Sequence, residues 1–193
     1  MNYINKDEQL KKLAEEIENC TECKIDKTGM MVFGEGNPDA KVMFVGEAPG
    51  KNEAKTGRPF IGRSGQLLRS LIRSIGLKEE DVYITSPVKY LPNRGTPTKD
   101  DIAHARTHFS QQLSIINPEI IVLLGSVAAQ GVLQEVIPVT KMHGTVVEKN
   151  GKKYFITVHP AAGLRFPPLK KTFEEDFEKL RELLMEEKII KNK

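Results

Sequence analysis

Two side chains in this 193-residue sequence stand where they could manage charge at a reacting centre. Glu47 lies two residues past the apolar run Val42-Met43-Phe44-Val45, and His159 directly follows Val158 at the end of a second apolar run. A carboxylate can steady a cation or orient a water, and an imidazole can hold or give a proton. Glu47 opens the stretch from Gly46 to Gly65, GEAPGKNEAKTGRPFIGRSG, with five glycines, two prolines, a second carboxylate and one aromatic, Phe60. Glycine lets a ligand approach the backbone closely, and a plain connector rarely needs so long a Gly-rich loop. Read alone, GEAPG serves equally as a solvated turn, His159 before Pro160 as a hydrogen-bonded loop residue, and Phe60 as core. Cys20 and Cys23 are the only cysteines. Their C-x-x-C spacing supplies half the ligands of a tetrahedral metal or iron–sulfur site, or a redox pair, although the thioredoxin-like setting is missing. His104, His108 and His143 find no site-like partner in the sequence and read as structural or exposed.

Strands and helices must carry these groups. Apolar spacing predicts a helix over 7–18, a strand over 41–45, a helix over 66–75 stopped by Gly76, and a strand over 81–86 closed by Pro87. Thr98 and Asp101 form a capping-box pair before a helix that runs to Ile116. A nearly uninterrupted apolar strand over 119–124 follows, and Gly125 opens a short helix to Leu133. Extended segments over 139–148 and 152–158 flank an Asn150-Gly151 hairpin turn. A terminal amphipathic helix covers 172–190. The alternation predicts an α/β fold: a single three-layer αβα domain over residues 1–193, with a central, mainly parallel four-stranded sheet. Open sheets of this kind bind ligands beyond the carboxyl ends of their strands. Glu47, Ser86, Gly125 and His159 all fall just past a strand, so four loops should converge on one edge.

Length suffices for a core without staples. The net charge of +3, from 29 basic and 26 acidic side chains, permits a nucleic-acid partner without demanding one. No membrane-spanning apolar run or signal pattern is present, so the expectation is a soluble, intracellular protein.

Taken together, the blocks resemble the uracil-DNA glycosylase superfamily, most of all its family 4. The resemblance rests on Cys20-x-x-Cys23, FGEGNPDAKVMFVGEAPG, GRPFIGRSG, DVYITSPVK, PNR-x-TPT, INPEIIVLLG and HPAAGLR. It implies hydrolysis of the N-glycosidic bond of uracil, or of other deaminated bases, after the base is flipped out of DNA. Glu47 would then stabilise the cationic sugar or orient water, and His159 would donate to the base O2. The Gly46-Glu47-Ala48-Pro49-Gly50 loop and Ser86 would bind the base, on which Phe60 would stack. Arg63, Ser64 and Lys89 would contact the DNA backbone, with Leu164 as a minor-groove wedge and Arg165 on phosphate. The implied partner is DNA containing deaminated bases. The chain is expected to be a cytoplasmic, nucleoid-associated monomer without a membrane, and a replication-clamp partner cannot be read. Three positions depart from the pattern. Tyr90 and Ala105 replace two of the four cysteines that hold the family's [4Fe–4S] cluster, so no cofactor is expected; Cys20 and Cys23 remain as a residual pair, with His104 a conceivable substitute. Ser86 replaces an Asn that reads uracil, and Gly163 replaces a bulkier intercalating residue. Two other readings stand beside the first: a DNA- or nucleotide-binding homologue with little activity, and a glycosylase that prefers another deaminated base.

Overall fold

The computed structural model describes residues 5–191. Asn5 caps α1 (Lys6–Asn19) by accepting from the Glu8 N–H, and the helix buries Leu10, Leu13 and Ile17. A 3-10 turn over Glu22–Lys24 leads to the short strands β1 (Lys27–Thr28) and β2 (Glu35–Gly36). Next comes β3 (Val42–Val45), in which every residue is buried. α2 (Glu53–Thr56) and α3 (Arg63–Ser74) carry the Gly-rich stretch toward β4 (Val82–Thr85) and the two-residue β5 (Leu91–Pro92). The predicted capping box starts α4 (Lys99–Ile116), with the Thr98 and Asp101 side chains each accepting from the other's backbone. Beyond it run β6 (Ile120–Leu124), α5 (Ser126–Leu133), α6 (Val139–Met142), β7 (Thr145–Lys149) and β8 (Lys152–Thr157). α7 (Pro160–Arg165) and α8 (Pro167–Glu186) complete the chain.

The main sheet has six strands in the order β2-β4-β3-β6-β8-β7. The four predicted strands form its parallel centre, β4-β3-β6-β8. Antiparallel β2 and β7 extend it to six, so the four-strand expectation omitted the two edges. β2 is two residues long and its sequence reads as a turn. α4 contacts both α1 and α5, while α3, α7 and α8 contact one another. Phe44 of β3 stacks on Phe177 of α8, their ring centroids 6.1 Å apart. No described helix is long and apolar enough to cross a membrane.

Several boundaries differ from expectation. Residues 139–148 are a helical turn and then a strand, because the Pro138 carbonyl accepts from Lys141 and Met142 N–H and closes a turn. Residues 159–165 are mostly helix, α7, with Pro160 at its first position and His159 as its cap. α3 begins three residues early, directly after Gly62. α8 starts at two prolines, suited to a helix's first turn, and ends at Glu186. The Asn150-Gly151 turn is as predicted, with φ of 52° and 72°.

Candidate active site

The register sets the carboxyl ends of the central strands level: Val45 pairs with Thr85 and Leu123, and Leu124 with Thr157. Glu47, Ser86, Gly125 and His159 therefore leave the same edge. A pocket of about 310 Å³ opens there, and Glu47, Ala48, Pro49, Gly50, Phe60, Ser64, Ser86 and His159 all line it. Val32, Glu53, Pro59, Gly95 and Ala161 complete the wall. Gly46 lies beneath: a Cβ there would come within 2.5 Å of the Phe60 ring and 3.0 Å of Ser86 Oγ. At Gly125 a Cβ would sit 2.9 Å from that of His159. Only glycine admits these two approaches. A larger cleft of about 540 Å³ lies against Asn37, Lys41, Arg73 and Ile189 and gathers none of the sequence-predicted site residues.

The two charge-managing groups are tuned by burial. Glu47 is half-buried, and desolvation alone raises its pKa, with no partner to offset it. His159 is lowered to about 4, again by desolvation. Its Nδ1 accepts from the Ala161 N–H at 3.2 Å. The proton of the neutral ring therefore sits on Nε2, leaving a hydrogen-bond donor without a charge.

Phe60 is held in an unusual conformation. Its φ is 51°, a region a bulky residue rarely occupies unless its surroundings impose it. Here they do. Glu53 Oε1 accepts from the N–H groups of Ile61 (2.9 Å) and Gly62 (2.7 Å). Arg69 donates to the carbonyls of Phe60 (3.0 Å) and Pro59 (2.8 Å), and is itself paired with Glu35 and Glu79. A Cβ at Gly65 would lie 2.0 Å from the Phe60 carbonyl. The ring thus stands over the Gly46 backbone, its centroid 6.4 Å from that of His159. Glu53, which holds this loop, is a residue that sequence reasoning counted without assigning. Its one signal was a carboxylate inside a Gly-rich loop.

The expected DNA contacts divide. Arg63 is exposed at the start of α3, beside pocket-lining Ser64. Leu164 is 40% exposed and Arg165 is exposed, one turn beyond pocket-lining Ala161. Phe166, overlooked in the sequence, is 50% exposed and lies under the Arg165 guanidinium. Gly163 is buried, and a Cβ there would lie 3.4 Å from Lys170 Cα, so this glycine serves helix packing. Lys89 must be corrected. It is 4% exposed and donates to Phe33 O, Thr85 Oγ1 and Gln112 Oε1 at 2.6–2.9 Å. Desolvation lowers its pKa well below the usual lysine value. It braces the interior beneath β4 and cannot reach a phosphate.

A second constellation is legible in the sequence only in part: His104 stands as a conceivable substitute beside Cys20 and Cys23, while His108 reads as structural or exposed. His104 Nε2 lies 3.2 Å from Cys20 Sγ and 3.3 Å from Cys23 Sγ. With His108, the four residues place their donor atoms within 4.8 Å of one another. His104 and His108 therefore have site-like partners, contributed by α4 to the Cys turn. His143 does have a structural role, paired with buried Asp176 at 2.9 Å. Tyr90 packs with Leu13, Ile17 and Cys23, its hydroxyl donating to Glu18 at 2.7 Å.

These features invite a pH test. On the role the resemblance implies for Glu47, its carboxylate form is the active one, so kcat/KM should fall with acid through a limb above the ordinary value of 4.5. In Glu47→Gln that limb should vanish, and the residual rate should stay flat to about pH 5, because His159 remains neutral down to about 4. Titration of the residual rate near 6.5, the ordinary imidazole value, would contradict the assignment of His159.

The open α/β sheet thus brings a carboxylate, a neutral imidazole and an aromatic ring together at its carboxyl edge, groups able to bind a planar ligand and stabilise charge on it. The sequence profile of the Uracil DNA glycosylase superfamily matches residues 33–183, and the chain belongs to that superfamily. It is 42% identical over 187 residues to a type-4 uracil-DNA glycosylase of Sulfurisphaera tokodaii, covering 91% of this chain and 85% of the relative. A type-4 enzyme of Archaeoglobus fulgidus is 40% identical (91% and 94% covered), and one of Thermotoga maritima 39% (94% and 98%). Within the superfamily, these relatives place the chain in family 4.

The [4Fe–4S] cluster expected of that family does not fit the residues present. A cubane takes one ligand on each of four irons, normally four thiolates, and Tyr90 and Ala105 stand where two would be. The donors available instead crowd around one point. Nor does the expectation of no metal follow from the missing cysteines, since two histidines take up positions beside the remaining pair.

Proposed function

We propose that this chain is a monofunctional DNA glycosylase, a single domain that hydrolyses the N-glycosidic bond of uracil in DNA and leaves an abasic site. The carrying observation is one pocket that pairs an unpartnered, desolvated Glu47 with a neutral His159 whose proton is on Nε2. In the reaction the C1′–N1 bond breaks and both its electrons leave with the base. Positive charge grows on the sugar, negative charge on the uracil O2. The Glu47 carboxylate stabilises the first. The His159 Nε2–H and the backbone N–H groups of the Gly46–Gly50 loop stabilise the second. Water adds its oxygen to C1′ and gives up a proton, which Glu47 is placed to receive. Phe60 stacks on the extruded base, an interaction of about 1–3 kcal/mol.

DNA would lie across the strand ends. Leu164 and Phe166 supply apolar wedges for the minor groove, with Arg165 on phosphate. Arg63 and Ser64, at the N-terminus of α3, suit a phosphate as well. Lys51 and Arg94, both exposed and adjacent to pocket-lining Gly50 and Gly95, add to this rim.

Ser86 favours a second reading, in which the enzyme discriminates less among deaminated bases. An Asn amide can accept from N3–H and donate to O4 of uracil at once, whereas the Ser86 hydroxyl is too short to span both. Losing one arm of such a contact costs about 1–3 kcal/mol of discrimination. Excision should be measured on duplexes that carry one uracil, hypoxanthine or xanthine, with wild type and Ser86→Asn. Uracil should be removed, with a narrower margin over hypoxanthine in wild type than in Ser86→Asn. Strict uracil use by wild type would refute the reading from Ser86, and no excision of any of the three would refute the glycosylase.

A further inference from the structure

The Cys20, Cys23, His104 and His108 cluster shares no residue with the pocket described above and takes no part in the proposed chemistry. Its residues come from two local patterns that each suit coordination. Cys20 and Cys23 straddle the turn after α1, with the Cys23 N–H donating to Cys20 Sγ at 3.4 Å. His104 and His108 are one helical turn apart on α4 and share a face. Their rings meet edge to face, with centroids 5.6 Å apart.

A tetrahedral ion with metal–sulfur bonds of about 2.3 Å and metal–nitrogen bonds of about 2.0–2.1 Å holds its ligand atoms about 3.4–3.8 Å apart. The two contacts of His104 Nε2 with the sulfurs, at 3.2 and 3.3 Å, lie close to that spacing, and the whole set lies within 4.8 Å, about 1 Å from closing on one ion. Two independent details point the same way. His108 Nδ1 is buried and has no hydrogen-bond partner. Glu22 lies 3.3 Å from His104 Nδ1, so a carboxylate fixes this ring with its other nitrogen toward the sulfurs. Carboxylate–histidine pairs of this kind orient metal-bound imidazoles.

We propose that Cys20, Cys23, His104 and His108 bind one tetrahedral divalent ion, zinc by preference, in place of the family's iron–sulfur cluster. Binding releases the two thiol protons to solvent, and two thiolates then balance the charge of the ion. Four protein ligands leave no open position, so the site is structural. It staples the turn after α1 to α4. Zinc suits a Cys₂His₂ donor set. A two-iron centre with the same ligands would put the cysteines on one iron and the histidines on the other, and that separation disagrees with an imidazole nitrogen against both sulfurs.

The test is elemental analysis of the purified full chain from cells supplied with both zinc and iron. One zinc per chain, no sulfide and no visible colour are expected. Chelation should remove the zinc and lower Tm, and Co²⁺ added to the reduced protein should give the absorption of a tetrahedral thiolate site. Cys23→Ala and His108→Ala should each lose stoichiometric metal. Should these variants fail to fold, the Co²⁺ spectrum of wild type decides alone. Iron with sulfide, a Cys20–Cys23 disulfide found by mass spectrometry in freshly isolated protein, or a reduced wild type that takes up no Co²⁺ would each overturn the proposal.

Discussion

Alanine at either Glu47 or His159 should slow single-turnover uracil excision by about 10²–10³-fold, since one lost contact to transition-state charge is worth about 2.7–4 kcal/mol. DNA affinity should change far less, because neither residue belongs to the exposed rim that would meet the phosphates. The two losses should arise differently. Glu47→Ala removes a negative charge whose pKa is raised by desolvation alone. His159→Ala removes a neutral donor already fixed in its tautomer by the Ala161 N–H. His159→Gln, which restores an N–H donor without a titrating ring, should recover part of the rate; Glu47→Gln, which cannot carry the charge, should recover little. Near wild-type excision by either alanine variant would remove that residue from the mechanism.

The next largest effect is expected at Glu53, a positioning residue. Glu53→Ala strands the N–H groups of Ile61 and Gly62, each a partly buried donor that costs up to about 1–3 kcal/mol when left unmet, the value for full burial. With the loop released, Phe60 has no reason to keep its φ of 51°. Displacing a group that orients substrate by about 1 Å can cost 10²-fold in rate, and a loss of that order is expected together with a lower Tm. Glu53→Gln keeps an oxygen that accepts both bonds, so it should retain most activity and stability. If Gln and Ala are equally inactive, Glu53 acts through its charge on the substrate. If both are fully active, other contacts hold the loop.

What could be read beforehand follows from how local each signal is. The ends of the central strands are marked by abrupt changes from apolar residues to Gly-Glu, Ser-Pro, Gly-Ser and His-Pro. Strand ends in a parallel sheet share an edge, so the pocket could be read before its shape was known. The Thr98–Asp101 box and the Asn150-Gly151 turn are likewise complete within a few residues. Lys89 failed because a lysine in sequence is by default a surface charge. Its acceptors come from Phe33, Thr85 and Gln112, on a loop, β4 and α4, far apart in sequence. The metal-binding geometry failed for the same reason. The i, i+4 spacing of His104 and His108 was visible, but only the packing of α1 against α4 brings them to Cys20 and Cys23. β2 escaped because two residues carry no periodicity, and its pairing with β4 is wholly tertiary.

The strand order has a consequence for biosynthesis. Glu47 leaves β3 and His159 leaves β8, and between those strands in the sheet stands β6, which pairs with both. Translation delivers β3, β4 and β6 first, while β8 and its histidine follow only after the β7 hairpin. Since domains are assembled as the chain emerges, at about 5–20 residues per second, a nascent chain can hold the Gly-rich loop and Phe60 well before it holds His159. The pocket therefore stays chemically incomplete on the ribosome until the last parallel strand docks. An enzyme that cuts bases out of genetic material would gain its activity only in its finished form.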